Sequence, residues 1–218
     1  MGVRTVRRFR TGAAMARFAA GLLLRELARR GRAAVALPGG RTPERLFREL
    51  ARSGAGWERA RFLMSDERRV PFSSPFSNFG AARRAFFRPA RVPEASLLPA
   101  RTPAGLAAAV KKASRGGRLD LVFLGLGADG HTASLFPGTR AWGSRKEAAG
   151  VSAPPGVKPR GRVTLTPAAI ERARLVVLLA AGPEKKAAFA LAAGGDPSVP
   201  AGRLRPRGRF YLLYSPRG

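Results

Sequence analysis

The sequence contains one histidine, His131, within the loop Gly125-Leu-Gly-Ala-Asp-Gly-His-Thr-Ala-Ser134. Glycines permit tight backbone geometry there, and the neighbouring hydroxyls and aspartate can fix one imidazole tautomer. The loop follows Leu119–Leu124, which has the apolar pattern of a strand buried on both faces. A lone histidine on an apolar face is usually structural, whereas one in a polar loop after a strand is suited to proton transfer. This placement favours His131 as a general base.

The chain has no cysteine, which excludes disulfides, thiolate nucleophiles and cysteine-ligated metal sites. A single histidine also excludes a multi-histidine metal site. The Gly-x-Ser-x-Gly elbow of serine hydrolases is missing from the sequence. A nucleophile activated by His131 is therefore predicted to be water, although a serine stays open.

A glycine-rich turn follows the apolar run Ala33–Leu37 and leads into a predicted helix. Gly39 and Gly40 allow close backbone approach, Thr42 is a natural N-cap, and Pro43 suits the first helical position. Amides at a helix N-terminus bind phosphate well. A plain strand–helix turn would use the same residues, so this segment alone does not decide between the two interpretations.

Charged side chains follow two further predicted strands. After Arg61–Met64, Arg68 is suited to bidentate contact with a phosphate or carboxylate, and Asp66 can orient a neighbour. A solvated charged turn is the alternative. After a later strand, Lys185 can reach an anion at a helix mouth, although composition alone favours simple solvation at the surface.

Alternating strands and helices position these segments, and such alternation predicts a mainly parallel sheet covered on both faces. Ligands of such sheets bind beyond the carboxyl ends of the strands, so the polar segments are expected to share one crevice. With 218 residues, 45% of them apolar, residues 1–218 are expected to form a single domain. The predicted strands are Arg4–Phe9, Ala33–Leu37, Arg61–Met64, Leu119–Leu124, Val163–Leu165, Leu175–Leu179 and Phe210–Tyr214. The predicted helices are Ala14–Arg30, one starting at Pro43, Ser77–Phe87, Pro103–Ala113, Pro167–Ala173 and Pro183–Ala192, and Arg140–Gly161 is predicted to be a surface loop.

The chain is strongly basic, with 41 Lys and Arg against 13 Asp and Glu and a net charge of +28. Such a charge can attract nucleic acid, acidic lipid or phosphorylated metabolites. The arginines are spread from Arg4 to Arg217, and Ala, Gly and Pro are abundant. This distribution favours a coding bias towards high GC content over a dedicated polyanion surface.

No apolar run approaches the roughly 20 residues that a membrane helix needs. The basic N-terminus is not followed by the apolar core and cleavage site of a signal peptide. A cytoplasmic protein is therefore expected.

In identity, order and spacing, the motifs resemble those of the 6-phosphogluconolactonase family. The segment Asp129–Gly138 is the most specific, because the related glucosamine-6-phosphate deaminases carry Asn-Gly-His-Ile-Ala-Phe at that place. The matching segments are Leu37–Pro43, Ser65–Arg68 with Ser77–Gly80, Gly125–Gly138, Arg162–Thr166 and Gly182-x-x-Lys185.

The resemblance implies a three-layer α/β/α sandwich with a mainly parallel, Rossmann-like sheet (NagB/RpiA-like). It also implies hydrolysis of 6-phospho-D-glucono-1,5-lactone in the oxidative pentose phosphate pathway. No metal or organic cofactor is expected, because a lactone is an activated ester and water is the nucleophile. The chain is expected to act as a monomer or homodimer without a membrane or specific nucleic-acid partner. The implied catalytic residues are His131, Arg68 and Asp66, and the implied substrate- and phosphate-binding residues are Gly39, Gly40, Thr42, Asn78, Gly130, Arg162 and Lys185.

Two alternative functions stay open at this point. The first is isomerisation and deamination of an amino-sugar phosphate on the same fold, with Asp66 abstracting a proton beside a carbonyl. The second is a basic polyanion-binding protein without catalysis. The sequence contains neither an RNP aromatic pair nor a helix-turn-helix signature, which argues against a known nucleic-acid module.

Overall fold

The computed structural model describes residues 2–218. A central sheet of six parallel strands has the order β1-β9-β8-β5-β2-β3, and a separate antiparallel sheet has the order β4-β7-β6. The strands are β1 Arg4–Arg8, β2 Ala33–Leu37, β3 Ala60–Met64, β4 Asp66–Arg68, β5 Leu121–Gly125, β6 Ala148–Ser152, β7 Gly161–Leu165, β8 Leu175–Ala181 and β9 Arg209–Ser215. The α-helices are α1 Gly12–Arg30, α2 Pro43–Arg52, α3 Asn78–Ala82, α4 Pro103–Ala113, α5 Pro167–Arg172 and α6 Lys186–Gly194.

Two apolar cores lie on opposite faces of the central sheet. Along β2, Val35 and Leu37 enter the core with α1 and α2, while Ala34 and Ala36 enter the core with α4, α5 and α6. This alternation follows from the two-residue period of a strand, and every residue of β2 is buried. The predicted three-layer α/β/α architecture is confirmed.

The ends of α1 show how local sequence sets an element. Thr11 accepts a hydrogen bond from the Ala14 amide, so the helix begins at Gly12, slightly before the predicted start. It ends as predicted at Gly31, which has a left-handed φ of 66°.

Other helix predictions require correction. The predicted helix Ser77–Phe87 divides into the short α3 and a π-helical turn at Arg83–Phe87, and the stretch predicted as one helix from Pro183 begins with a 3-10 turn before α6. Thr42 was expected to cap α2, but it has helical φ and ψ angles and makes no side-chain capping bond.

The second sheet was not predicted. Asp66–Arg68 was expected to follow the end of a strand, with a charged turn as the alternative, but forms β4, and Arg140–Gly161 was expected to be a loop but contains β6. Val163–Leu165 lies in β7, which pairs with both of these strands and not with the central sheet. The β6 sequence Ala-Ala-Gly-Val-Ser has little intrinsic β preference, so pairing with β7 decides its conformation.

The strand order places a topological switch point between β2 and β5. The chain passes from β2 to β3 on one side and later returns to β5 on the other. The connections after β2 and β5 therefore diverge, which opens a crevice at the carboxyl ends of these strands. Within residues 2–218, no helix has the length and apolar character needed to cross a bilayer.

The buried carboxylate of Glu26 joins α1 to β9 through hydrogen-bonded ion pairs with Arg29, Arg30 and Arg209. Burial acts to raise the pKa of Glu26, but the hydrogen bonds from these arginines hold the pKa below its ordinary value. A group whose pKa is lower in the folded than in the unfolded protein stabilises the fold at pH values above its unfolded-state pKa. This stabilisation is lost as the pH falls through its folded-state pKa.

We expect Glu26→Gln to lower the free energy of unfolding at pH 7 by about 1–3 kcal/mol, because three charge-assisted hydrogen bonds are weakened. Urea unfolding at several pH values measures this. Below about pH 4.5, the difference in free energy of unfolding between the variant and the unmodified protein should shrink, because Glu26 of the unmodified protein becomes protonated. Glu44→Gln, at an exposed pair with Arg48, is the control. An undiminished difference at pH 3 would contradict the assigned role of the charge.

Candidate active site

A cleft of about 470 Å³ lies at the switch point, at the carboxyl ends of the central strands. Its walls come from the turn after β2, from β4 and β7, from the loop after β5, and from the start of the α6 region. Nine of the ten predicted site residues line it: Gly39, Gly40, Thr42, Asp66, Arg68, Asn78, His131, Arg162 and Lys185.

The tenth predicted site residue, Gly130, lies outside the cleft lining. Its amide donates to the Gly127 carbonyl, and its carbonyl accepts from the Ala201 amide. Both polar backbone groups are therefore used to hold the loop after β5, so Gly130 shapes this loop.

His131 and Asp129 form a hydrogen-bonded pair on that loop. Asp129 Oδ1 lies 2.5 Å from His131 Nδ1 and also accepts from the His131 amide at 3.2 Å. A carboxylate at Nδ1 favours the tautomer with the proton on that nitrogen, which leaves Nε2 as a proton acceptor. The His131 ring packs 4.8 Å from the ring of Phe136 and its side chain is 32% exposed, so solvent can still reach it.

Gly127 makes this pair possible. A Cβ at position 127 would lie 2.2 Å from His131 Nδ1 and 2.4 Å from Asp129 Oδ1. Any side chain there would displace the imidazole. Asp129 was recognised in the sequence only as a group able to fix a tautomer, and the need for Gly127 follows only from the folded loop.

Arg68 and Arg162 are cross-strand neighbours in the second sheet, where β4 and β7 pair. Both line the cleft, and Arg162 is only 5% exposed. Burial lowers the pKa of Arg162 and the charge of Arg68 acts in the same direction, while Asp66 and Glu67 act to raise it. Like charges directly opposite each other are unfavourable, so this pair is well suited to an anion between or beside them.

Each of the two arginines is anchored by one hydrogen bond to a backbone carbonyl. Arg162 Nε donates to the Pro159 carbonyl at 2.7 Å, and Arg68 Nη1 donates to the Phe76 carbonyl at 2.6 Å. Within residues 2–218, Arg68 Nε has no hydrogen-bond partner and is enclosed by protein. Contacts of Arg68 with a ligand therefore depend on its terminal Nη groups.

Asp66 connects three parts of the cleft. Its Oδ2 accepts from the Ser134 hydroxyl at 2.7 Å, and its carbonyl accepts from Asn78 Nδ2 at 2.8 Å. The carboxylate, predicted to orient a neighbour, thus contacts the histidine loop and the start of α3. The Asn78 side chain also lies against the turn after β2, because a Cβ at Gly39 would be 2.1 Å from Asn78 Oδ1.

Glu67, the next residue, is buried and lies outside the cleft lining. Burial raises its pKa, and hydrogen bonds from the Phe79, Asn78 and Arg68 amides and the Ser77 hydroxyl limit the rise. All four bonds lie between 2.7 and 3.0 Å. Glu67 therefore fixes the start of α3, and with it Asn78, relative to β4.

Lys185 and Thr42 join two further segments of the cleft lining. Lys185 Nζ donates to Thr42 Oγ1 at 3.3 Å. Burial lowers the pKa of Lys185; Glu184 opposes this shift and Arg41 adds to it. Arg41 also lines the cleft. It was not predicted as a site residue, because only its neighbours in the turn were assigned a role from the sequence.

The arrangement combines a hydrogen-bonded histidine and aspartate, several cations and several neutral polar groups in one cleft. Among the described residues, no group of three or more His, Asp or Glu side chains is arranged to hold a metal ion. The pair of Asp129 and His131 can activate water, and the cations can bind a phosphorylated, polar substrate.

A family model described as glucosamine-6-phosphate isomerases/6-phosphogluconolactonase matches residues 9–212. A 6-phosphogluconolactonase of Synechocystis sp. is 36% identical over 207 residues, covering 88% of this chain and 85% of the relative. One from Thermotoga maritima is 35% identical over 156 residues, covering 69% of this chain and 70% of the relative.

Solved structures show the same fold. The crystal structure of 6-phosphogluconolactonase from Thermotoga maritima superposes with a TM-score of 0.85 at 25% identity, covering 97% of this chain and 99% of that one. A monomeric glucosamine-6-phosphate deaminase also reaches 0.85 at 19% identity, covering 97% of each chain. The likeness to the deaminase concerns the fold alone.

We expect Glu67→Gln to lower the free energy of unfolding by about 1–3 kcal/mol, because the amide presents a donor where the carboxylate accepts from Phe79 or Asn78. Urea unfolding at pH 7 measures the change. Glu58→Gln, at an exposed position, should leave stability within about 0.5 kcal/mol of the unmodified protein. Equal effects of the two substitutions would show that Glu67 does not hold α3.

Proposed function

The chain belongs to the glucosamine-6-phosphate isomerase/6-phosphogluconolactonase family, and from that membership we propose that it hydrolyses 6-phospho-D-glucono-1,5-lactone to 6-phosphogluconate. Several relatives that match most of this chain at 33–36% identity are 6-phosphogluconolactonases. The observation that carries the proposal is the pair of Asp129 and His131 placed in a cleft with Arg68, Arg162 and Lys185.

The reaction needs a base for water. His131 Nε2 accepts a proton from water as the water oxygen attacks the C1 carbonyl of the lactone. The tetrahedral oxyanion then collapses, the bond between C1 and the ring oxygen breaks, and the protonated His131 returns its proton to the departing ring oxygen. The products are a carboxylic acid at C1 and a free hydroxyl at C5, and no redox step is involved.

Charge develops on the carbonyl oxygen during attack, and we assign its stabilisation to Arg68 with nearby backbone amides. The place of Arg68 in the cleft lining, on β4 and opposite Arg162, supports this role. A preorganised donor is effective because it does not need to reorient during the reaction. Asp66 is proposed to hold Ser134 and Asn78 in place around the reacting group.

The 6-phosphate is proposed to bind at Gly39, Gly40, Thr42 and Lys185, with Arg162 contributing. The existing bond between Lys185 and Thr42 brings a cation and a hydroxyl to one place. A phosphate dianion is costly to move into an apolar bilayer, so the proposed place of action is the cytoplasm, where such metabolites are retained.

Lactone hydrolysis measured against the spontaneous background tests the proposal, because this lactone also opens unaided in water. A parallel assay with glucosamine-6-phosphate tests the deaminase alternative. Turnover of glucosamine-6-phosphate without enhancement of lactone hydrolysis would overturn the proposal.

We expect His131→Asn to lower kcat by about 10²–10⁴-fold, the range for loss of a general base. Asp129→Asn should lower kcat to a smaller extent, since His131 remains but loses its orienting carboxylate. Steady-state kinetics corrected for background hydrolysis measure both effects. Asp196→Asn, outside the cleft, is the control. A His131→Asn protein with near-normal kcat would remove His131 from the mechanism.

We expect Lys185→Ala to lower kcat/KM for the phosphorylated lactone about 10- to 100-fold, because one charge-assisted bond contributes about 1.5–3 kcal/mol. Glucono-1,5-lactone, which lacks the phosphate, should show a much smaller change. Lys186→Ala is the matched control, because Lys186 is exposed and does not line the cleft. An equal loss on both lactones would show that Lys185 does not bind the phosphate.

A further inference from the structure

We propose that the edge of the central sheet at β1 binds double-stranded nucleic acid through its phosphate backbone, without sequence specificity. The surface, called the β1 edge below, consists of Arg7, Arg17 and Arg25 on the α1 side of the strand and of Arg8 and Arg10 on its α6 side. This inference does not depend on lactone hydrolysis.

The tertiary structure produces a concentration of charge that the sequence does not show. Residues 1–25 contain no Asp or Glu, and residues 197–218 also contain none. Strand β1 pairs with β9 along its whole length, from Arg4 opposite Phe210 to Arg8 opposite Tyr214. Two carboxylate-free segments from opposite ends of the sequence therefore form one continuous side of the protein.

The arginines of the β1 edge keep their charge available. All five are exposed, and none forms an ion pair with a carboxylate in the part of the chain that the structure describes. Glu26, the first carboxylate along the chain, is buried and already bound by Arg29, Arg30 and Arg209. The field of the β1 edge is thus not neutralised locally.

The surroundings of Phe18 favour phosphate contact over base stacking. The guanidinium of Arg7 lies 4.7 Å from the centre of the Phe18 ring, and that of Arg25 lies 6.0 Å from it. The same ring also packs against Phe9 and Tyr211. The aromatic cluster is therefore already occupied, and it holds two guanidinium groups in place, which reduces the entropy that they lose on binding.

A duplex fits this surface better than a membrane does. It carries one phosphate charge per about 1.7 Å of its axis, and guanidinium groups bind phosphate through paired donors. Arg17 and Arg25 lie about 12 Å apart along α1, from the rise of 1.5 Å per residue, so they can contact separate phosphates. Among residues 2–8, which the structure describes, the exposed large apolar side chains are Val3 and Val6, too little to insert into a bilayer.

The arginines of the β1 edge are not part of the cleft lining. In the sheet order the nearest cleft residue is Lys185, which follows β8, and β1 lies two strands from β8, about 10 Å at the usual spacing of about 4.8 Å. Substitution of these arginines is therefore expected to leave catalysis unchanged.

The experiment uses the full chain and a fluorescein-labelled 25-base-pair DNA of mixed sequence, with anisotropy recorded from 50 to 200 mM NaCl. One variant carries Gln at the five arginines of the β1 edge. The matched control loses the same charge elsewhere, at exposed arginines without ion pairs: Arg52→Gln, Arg59→Gln, Arg88→Gln, Arg91→Gln and Arg145→Gln.

The β1-edge variant should bind at least about 10-fold more weakly at 100 mM NaCl. The slope of log K against log salt should become shallower by up to about 4.5, at about 0.9 for each phosphate contact. The control should change affinity less than about 2-fold, and kcat for the lactone should be the same in all three proteins. If thermal unfolding shows that the variant with five substitutions is unstable, a variant with three substitutions replaces it: Arg8→Gln, Arg10→Gln and Arg17→Gln. This variant keeps the arginines that contact Phe18, and it should reduce the slope by up to about 2.7.

Equal weakening by both variants would overturn the proposal, because the diffuse net charge would then explain all binding. The absence of DNA binding by the unmodified protein at 50 mM NaCl would also overturn it. Vesicles of phosphatidylcholine and phosphatidylserine provide the last arm. Loss of vesicle binding in the β1-edge variant with unchanged DNA affinity would assign the surface to membranes instead.

Discussion

The carboxylates of Asp66 and Glu67 are buried next to each other on β4, and between them they hold the histidine loop and the start of α3 against this strand. Glu67 accepts the donors at the start of α3, while Asp66 binds Ser134 of the histidine loop. Adjacent residues of a strand face opposite sides, so one short strand can secure two different segments. Because buried carboxylates are costly without partners, these hydrogen bonds and the cleft geometry are maintained together.

Steric constraints set the positions of the reacting groups as firmly as hydrogen bonds do. Gly127 and Gly39 leave no room for a Cβ beside His131 and Asn78, respectively. Ala133, which also lines the cleft, has a φ of 50°, an unfavourable backbone conformation for a residue with a side chain. Backbone strain of this kind persists where the surrounding structure imposes it, and it is typical of preorganised sites.

Charge acts at two ranges in this protein. Arg68 and Arg162 are adjacent and partly or fully buried, so their interaction with a bound anion is only weakly screened. The field of exposed arginines far from the cleft is screened over a Debye length of about 8 Å at physiological salt. These arginines therefore contribute more to the rate at which a charged ligand encounters the protein than to the affinity for that ligand. The net charge of +28 therefore does not explain substrate binding, whereas its uneven distribution around β1 bears on a macromolecular polyanion.

The sequence by itself determined the parallel sheet and its six strands, because buried strands leave strong local patterns. Nine of the ten predicted site residues line the cleft, among them Asn78, which the family resemblance implied and no local pattern singled out. The short strands β4 and β6 were missed, and Gly130 lies outside the cleft lining. The pairing of Arg68 with Arg162 and the joining of two basic termini at β1 were decided only by the tertiary structure. Both depend on strand partners distant in sequence, and local pattern carries no information about which strands become neighbours.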